Sequence, residues 1–160
     1  LQKITEAPGT NRGPTAYHKT SLPGEPGDRI TENREMRRGT SRYSAEEIAE
    51  YCHDQTIALQ RLQERNGTPD VAPAEPWASW PEEYKQVTID GVLRVQRGAS
   101  YRHHQAEWVR AMTALGWTRG PKDRTARTHP DLIQYDDMNQ FQRDKVRMFV
   151  SAVVTLTLED

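Results

Sequence analysis

Arg119, Lys122, Arg124 and Arg127 crowd one short stretch against a single acid, Asp123, with a Gly120-Pro121 turn among them. Backbone amides presented by such a turn, together with ammonium and guanidinium donors, make a cradle for phosphate or another anion. The alternative is a solvated basic loop, which is what most charge runs are. Trp117 and Tyr135 flank the stretch. Planar rings beside cations suit a purine, which needs a stacking face and charge for its phosphates. Trp117 could equally be a core anchor. Tyr135 is the stronger ligand candidate, because a buried hydroxyl must find a partner. In Thr128-His129-Pro130, the proline holds His129 extended, where its imidazole can bond backbone carbonyls. The candidate ligand-binding set is therefore Trp117, Arg119, Lys122, Arg124, Thr128, His129 and Tyr135.

Other chemistries find little support. His129 has no obvious nucleophile or third partner, and no paired carboxylates stand out, so no catalytic residue is assigned and an enzyme is not expected. Cys52 and His53 are adjacent on a helical pattern, so their side chains diverge by about 100° and cannot readily share a metal. His103-His104 meets the same objection, and neither a metal nor another cofactor is expected. Gly116 to Lys122 lacks the glycine spacing and the Lys-Ser/Thr pair of a phosphate-binding loop. One cysteine precludes an intramolecular disulfide framework. No run approaches the roughly 20 apolar residues of a membrane span, so the expectation is a soluble, cytoplasmic protein, or a virion protein if it is phage-encoded. Formal net charge is -1, which argues against a nucleic-acid coat.

Two unequal parts must position these residues. Residues 1–40 read as an extended Pro/Gly-rich arm, punctuated by Pro8-Gly9, Gly13-Pro14, Pro23-Gly24 and Pro26-Gly27. Only 34% of the chain is hydrophobic and the mean hydropathy is -0.93, consistent with a segment outside the core. Arg34, Arg37, Arg38 and Arg42 form a basic patch where arm meets domain; interleaved Glu32 and Glu35 favour protein docking over nucleic acid. Residues 41–160 read as one mainly α domain with a small β element, α+β in class, with about four helices and a short hairpin.

The first helix opens on a Ser44/Glu47 capping box and carries an apolar stripe through Ile48, Tyr51, Cys52, Gln55, Leu59 and Leu62. Asn66-Gly67-Thr68-Pro69 stops it. A second helix is expected from near Ser79, boxed with Glu82, to Gly98, although Gly91 sits within it. A third spans Ser100 to Leu115 with Gly116 as its C-terminal cap. The last opens at Asn139, with Val146, Phe149, Val150, Val153 and Val154 on one face. Between the third and fourth, Trp117 to Met138 forms a connection long enough to suggest function, with short strands expected around Trp117–Thr118 and Leu132–Gln134.

In order, Gly116-Trp117, Gly120-Pro121, Thr128-His129-Pro130 and Tyr135 before a final helix resemble the signature of the ryanodine-receptor repeat family. Glu47-Ile48-Ala49, Cys52-His53, Trp80 and Trp108 are similar to that family's upstream positions, so the resemblance runs from about Tyr43 to Leu158. The chain departs from the pattern at Gln134, Asn139 and Val146, read as helix-boundary and surface positions. The resemblance implies a non-catalytic module of the single-copy bacterial or phage type that binds or senses an adenine-nucleotide-like anion. The alternative is a structural subunit of a phage particle or other multi-copy complex, self-associating through residues 1–40.

Overall fold

The computed structural model describes residues 41–158. The arm expected at residues 1–40, with its basic patch apart from Arg42 and the subunit docking assigned to it, lies outside them. Ser44 caps helix α1 (Ala45–Arg65): its hydroxyl accepts from the Glu47 amide at 3.2 Å, and the Glu47 carboxylate accepts from the Ser44 amide at 2.7 Å. The buried stripe of α1 is Ile48, Ala49, Cys52, His53, Ile57, Gln60 and Gln63. That corrects the expected stripe, since Tyr51 and Leu62 are 46% and 47% exposed. The face is rotated because two glutamines and a histidine, not the apolar residues beside them, point inward and find backbone partners.

After Gly67, at φ 78°, an irregular connector leads to a single turn of tight helix, Trp77–Ser79. Helix α2 (Glu82–Gln96) starts after Pro81, so Ser79 is spent in that turn and the expected Ser79/Glu82 capping box does not form. Gly91 sits where α2 runs close to its neighbours: a Cβ there would lie 3.0 Å from His104 Cε1 and 3.2 Å from Phe149 Cζ. Helix α3 (Tyr101–Ala114) is capped by Ser100, and α4 (Gln140–Thr157) by an Asn139/Gln142 box, as their sequences predict.

Helix α1 packs on α2 and α4, and α2 also packs on α3 and α4. Ile48, Ala49, Cys52, Trp77, Val92, Val95, Val150 and Val153 fill the core between α1, α2 and α4. Burial pushes the Cys52 thiol up to about 12, so it serves there as a small apolar group. Val146, read as a surface position, is buried with Tyr135 and Met138; Val154 is 44% exposed.

Between α3 and α4 the mainly α, α+β reading holds, but the hairpin is corrected. Strands β1 (Thr118–Arg119) and β2 (Thr128–His129) pair in parallel, Thr118 opposite Thr128 and Arg119 opposite His129. The chain doubles back between them, with Asp123 and Thr128 forming an antiparallel bridge and Arg127 turning at φ 53°. Asp123 Oδ1 accepts from the Ala126 amide at 2.9 Å and fixes that turn. Leu132–Gln134 forms no strand, because the Asp131 and Ile133 carbonyls accept instead from Gln105 Nε2 at 2.8 and 2.9 Å.

Candidate functional site

The basic loop, the connector after α1 and the inner faces of the four helices enclose a cavity of about 410 Å³. Its apolar wall is a run of rings. Trp80 lies 5.4 Å from Tyr84, and Tyr84 lies 5.7 Å from Trp117 at 74°. Trp117 Nε1 donates to the Tyr84 hydroxyl at 3.2 Å, which removes the polar cost of burying both. Trp108 meets His129 edge to face at 5.5 Å, and Phe149 stacks on His104 at 4.5 Å. Trp117 is thus both core anchor and cavity wall.

The opposite end is polar. Lys145 Nζ forms an ion pair with Asp131, whose other oxygen accepts from Gln142 Nε2 at 3.1 Å. Lys122 reaches in from the loop and donates to the Ala72 carbonyl on the connector. Burial, then the charge of Lys145, lowers the Lys122 pKa, with Asp131 working against them. His129 Nδ1 accepts from the Asp131 amide at 3.0 Å. Burial pushes its pKa down to about 4; Lys145 and Lys122 add to this and Asp131 opposes. A neutral ring whose Nδ1 accepts must carry its proton on Nε2, so His129 is a donor there. His104 is held at about 4 as well, by burial first and then by Arg94 and His103. Its Nδ1 has no hydrogen-bond partner among the described residues.

Arg124 marks the rim. Its guanidinium lies 5.8 Å over Trp80 and 6.0 Å over Tyr84, and it pairs with Glu75. The connector is pinned beside it: His53 Nε2 meets the Glu75 carbonyl at 2.7 Å, and the Ala74 amide donates to Gln60 Oε1 at 2.9 Å. The inward glutamine and histidine of α1 therefore hold the strap that closes one side of the cavity.

Of the residues singled out in the sequence, Trp117, Lys122, Arg124 and His129 line this cavity together. Thr128 spends its hydroxyl on the Pro121 carbonyl, tightening the loop. Arg119 faces a separate groove with Asp70, Pro121 and Asp137. Tyr135 is buried outside the cavity, its hydroxyl accepting from Arg147 Nε at 2.8 Å and its ring stacked on Tyr101 at 5.9 Å. The hydroxyl does find the partner its burial demands, but that partner is a neighbouring side chain. Arg127 donates to the Leu115 carbonyl at the C-terminal end of α3, where a cation is favoured. Sequence reasoning missed Asp131 and Lys145 at the polar end and Tyr84 in the wall. Asp131 follows the Thr128-His129-Pro130 motif directly and was within reach; nothing marks Lys145 among the other charges of α4.

The arrangement sets aromatic faces beside an ammonium and an imidazole N–H donor. The two threonine hydroxyls on its wall, Thr56 and Thr88, donate to the Cys52 and Tyr84 carbonyls one helical turn back. Among the described residues no group of three His, Cys, Asp or Glu side chains is placed to hold a metal ion, and no helix is long and apolar enough to cross a membrane. No family model matches the chain, and neither a curated protein nor a solved structure matches it.

Proposed function

We propose that this chain is a non-catalytic binding or sensing module, a single ryanodine-receptor-like repeat whose cavity takes a planar, anionic, adenine-nucleotide-like small molecule. The observation that carries the reading is the placement of Lys122 and His129 at the polar end of a cavity walled by Trp80, Tyr84, Trp108 and Trp117. Stacking faces for a ring and donors for an acidic group converge from different elements of the fold. A volume of about 410 Å³ falls within the range of pockets that hold small molecules, about 300–1,000 Å³. Five of the cavity's residues, His53, Trp80, Trp108, Trp117 and His129, are among those that carry the resemblance. The sensing part of the reading is supported by the connector, since Lys122 bonds the Ala72 carbonyl and a ligand that takes Lys122 releases that tie.

The test is thermal melting with adenine nucleotides. A ligand at about a hundredfold over its Kd stabilises a protein by about 2.7 kcal/mol, which raises Tm by several degrees. The paired substitution Lys122→Ala and Arg124→Ala is expected to abolish that rise. Absence of any rise at millimolar nucleotide counts against the reading.

A further inference from the structure

We propose that the cavity selects planar aromatic ligands bearing a single negative charge, over both their neutral counterparts and polyphosphates. This rests on the binding-module reading above and narrows its ligand class. The reason is the charge balance at the polar end. Lys145 is matched, because Asp131 pairs with it and the two side chains are only 15% and 12% exposed. Arg124 is matched at the rim by Glu75. Lys122 instead meets a neutral carbonyl, that of Ala72. Among the described residues lining the cavity, the Lys122 ammonium therefore stands without a carboxylate of its own.

A ligand with one acidic group supplies the missing charge and accepts from Lys122 Nζ and His129 Nε2 together. A neutral ligand leaves Lys122 on its carbonyl and gains nothing from it. Every charge beyond the first must shed water without a cation to receive it, because Lys145 and Arg124 already have carboxylate partners. The lowered pKa of Lys122 is in keeping with this balance: burial first, then the charge of Lys145, disfavours the ammonium, and Asp131 offsets them only in part. At about 410 Å³ the space is also small, near the lower bound of about 300 Å³ for ligand pockets. It suits one ring system and a compact acidic group.

Isothermal titration of the full chain with two ligand series tests this. The first holds the base constant: neutral adenosine, singly charged cyclic adenosine monophosphate, doubly charged adenosine monophosphate, and adenosine triphosphate. The second compares naphthoate with neutral naphthamide. The singly charged member of each series is expected to bind about tenfold or more tighter than the neutral one, with the triphosphate no tighter than the cyclic monophosphate. Lys122→Met should reduce the anion's affinity to that of the neutral ligand, and Lys122→Arg should keep the preference. Naphthoate binding without any adenine compound binding supports the charge rule and removes the nucleotide-like part of the reading. Affinity rising steadily with charge up to the triphosphate overturns the single-charge rule and leaves nucleotide binding intact. Equal affinity for naphthoate and naphthamide overturns it too. No binding by any member overturns both the rule and the module reading.

Discussion

The backbone amide of Asp131 donates to Nδ1 of His129 across 3.0 Å. One residue thereby organises the polar end of the cavity. Its amide sets the His129 tautomer, its carboxylate holds Lys145, and its carbonyl takes Gln105 from α3. The loop, α3 and α4 are tied at this point, so the geometry of the site and the packing of three elements depend on the same residue, through its backbone toward His129 and α3 and through its carboxylate toward α4.

Breaking the Asp131–Lys145 pair from one side should be costly. Lys145→Met leaves a buried carboxylate without its cation, and the expected loss is about 3 kcal/mol in urea unfolding. Asp131→Asn combined with Lys145→Met should recover most of it, because the uncompensated charge is gone. Additive losses in the double variant would mean that the pair is not coupled.

Acid should destabilise the fold through its buried imidazoles. His104 and His129 are each depressed to about 4 from an ordinary value of 6.5. The unfolded chain therefore takes up protons first. The stability from keeping these rings neutral is full above about pH 6.5 and is lost as pH falls toward 4, by a few kcal/mol in all. Unfolding free energies across that window should show the decline, and His129→Asn should make it shallower. A flat profile would contradict the assignment of both rings as buried and neutral.

Ser44 and Ser79 head the same sequence pattern, a hydroxyl followed by glutamate three residues on, yet only Ser44 forms the box. Ser44→Ala is expected to cost about 1 kcal/mol, and Ser79→Ala to stay within about 0.5 kcal/mol of the parent. Melting temperatures of the two variants separate the cases directly.

Those two serines also show what the sequence could and could not convey. Local chemistry is legible where a helix starts freely from a loop, as at Ser44, Ser100 and Asn139. It misleads at Ser79, where Pro76 and Trp77 build a tight turn that consumes the candidate cap. Helix faces depend on what lies opposite: Gln60 and His53 turn inward because the connector offers an amide and a carbonyl there, a fact no periodicity carries. The cavity was half legible. Trp117, Lys122, Arg124 and His129 came from composition and order along one loop, whereas Tyr84, Asp131 and Lys145 join them only through packing. Arg119 and Tyr135 lie near that loop in sequence but face elsewhere in space.

Gly91 looked like a weak point in a helix and is instead the place where α2 approaches the stacked rings of His104 and Phe149. Gly91→Ala gains helix propensity of about 1 kcal/mol and overpacks at a cost of about 1–3 kcal/mol. The expected net result is a loss of about 1 kcal/mol by urea unfolding. A gain would show that the two rings recede into the cavity.

The most direct test of cavity binding is where a ligand is felt along the chain. In an amide and indole NMR titration with cyclic adenosine monophosphate, the largest shifts should fall on the indole groups of Trp80, Trp108 and Trp117 and on the Ala72–Glu75 and Lys122–Arg124 backbone. Tyr135 and Arg119 should move little. Shifts centred on Arg119 and Asp137, or none at saturating ligand, would contradict the account.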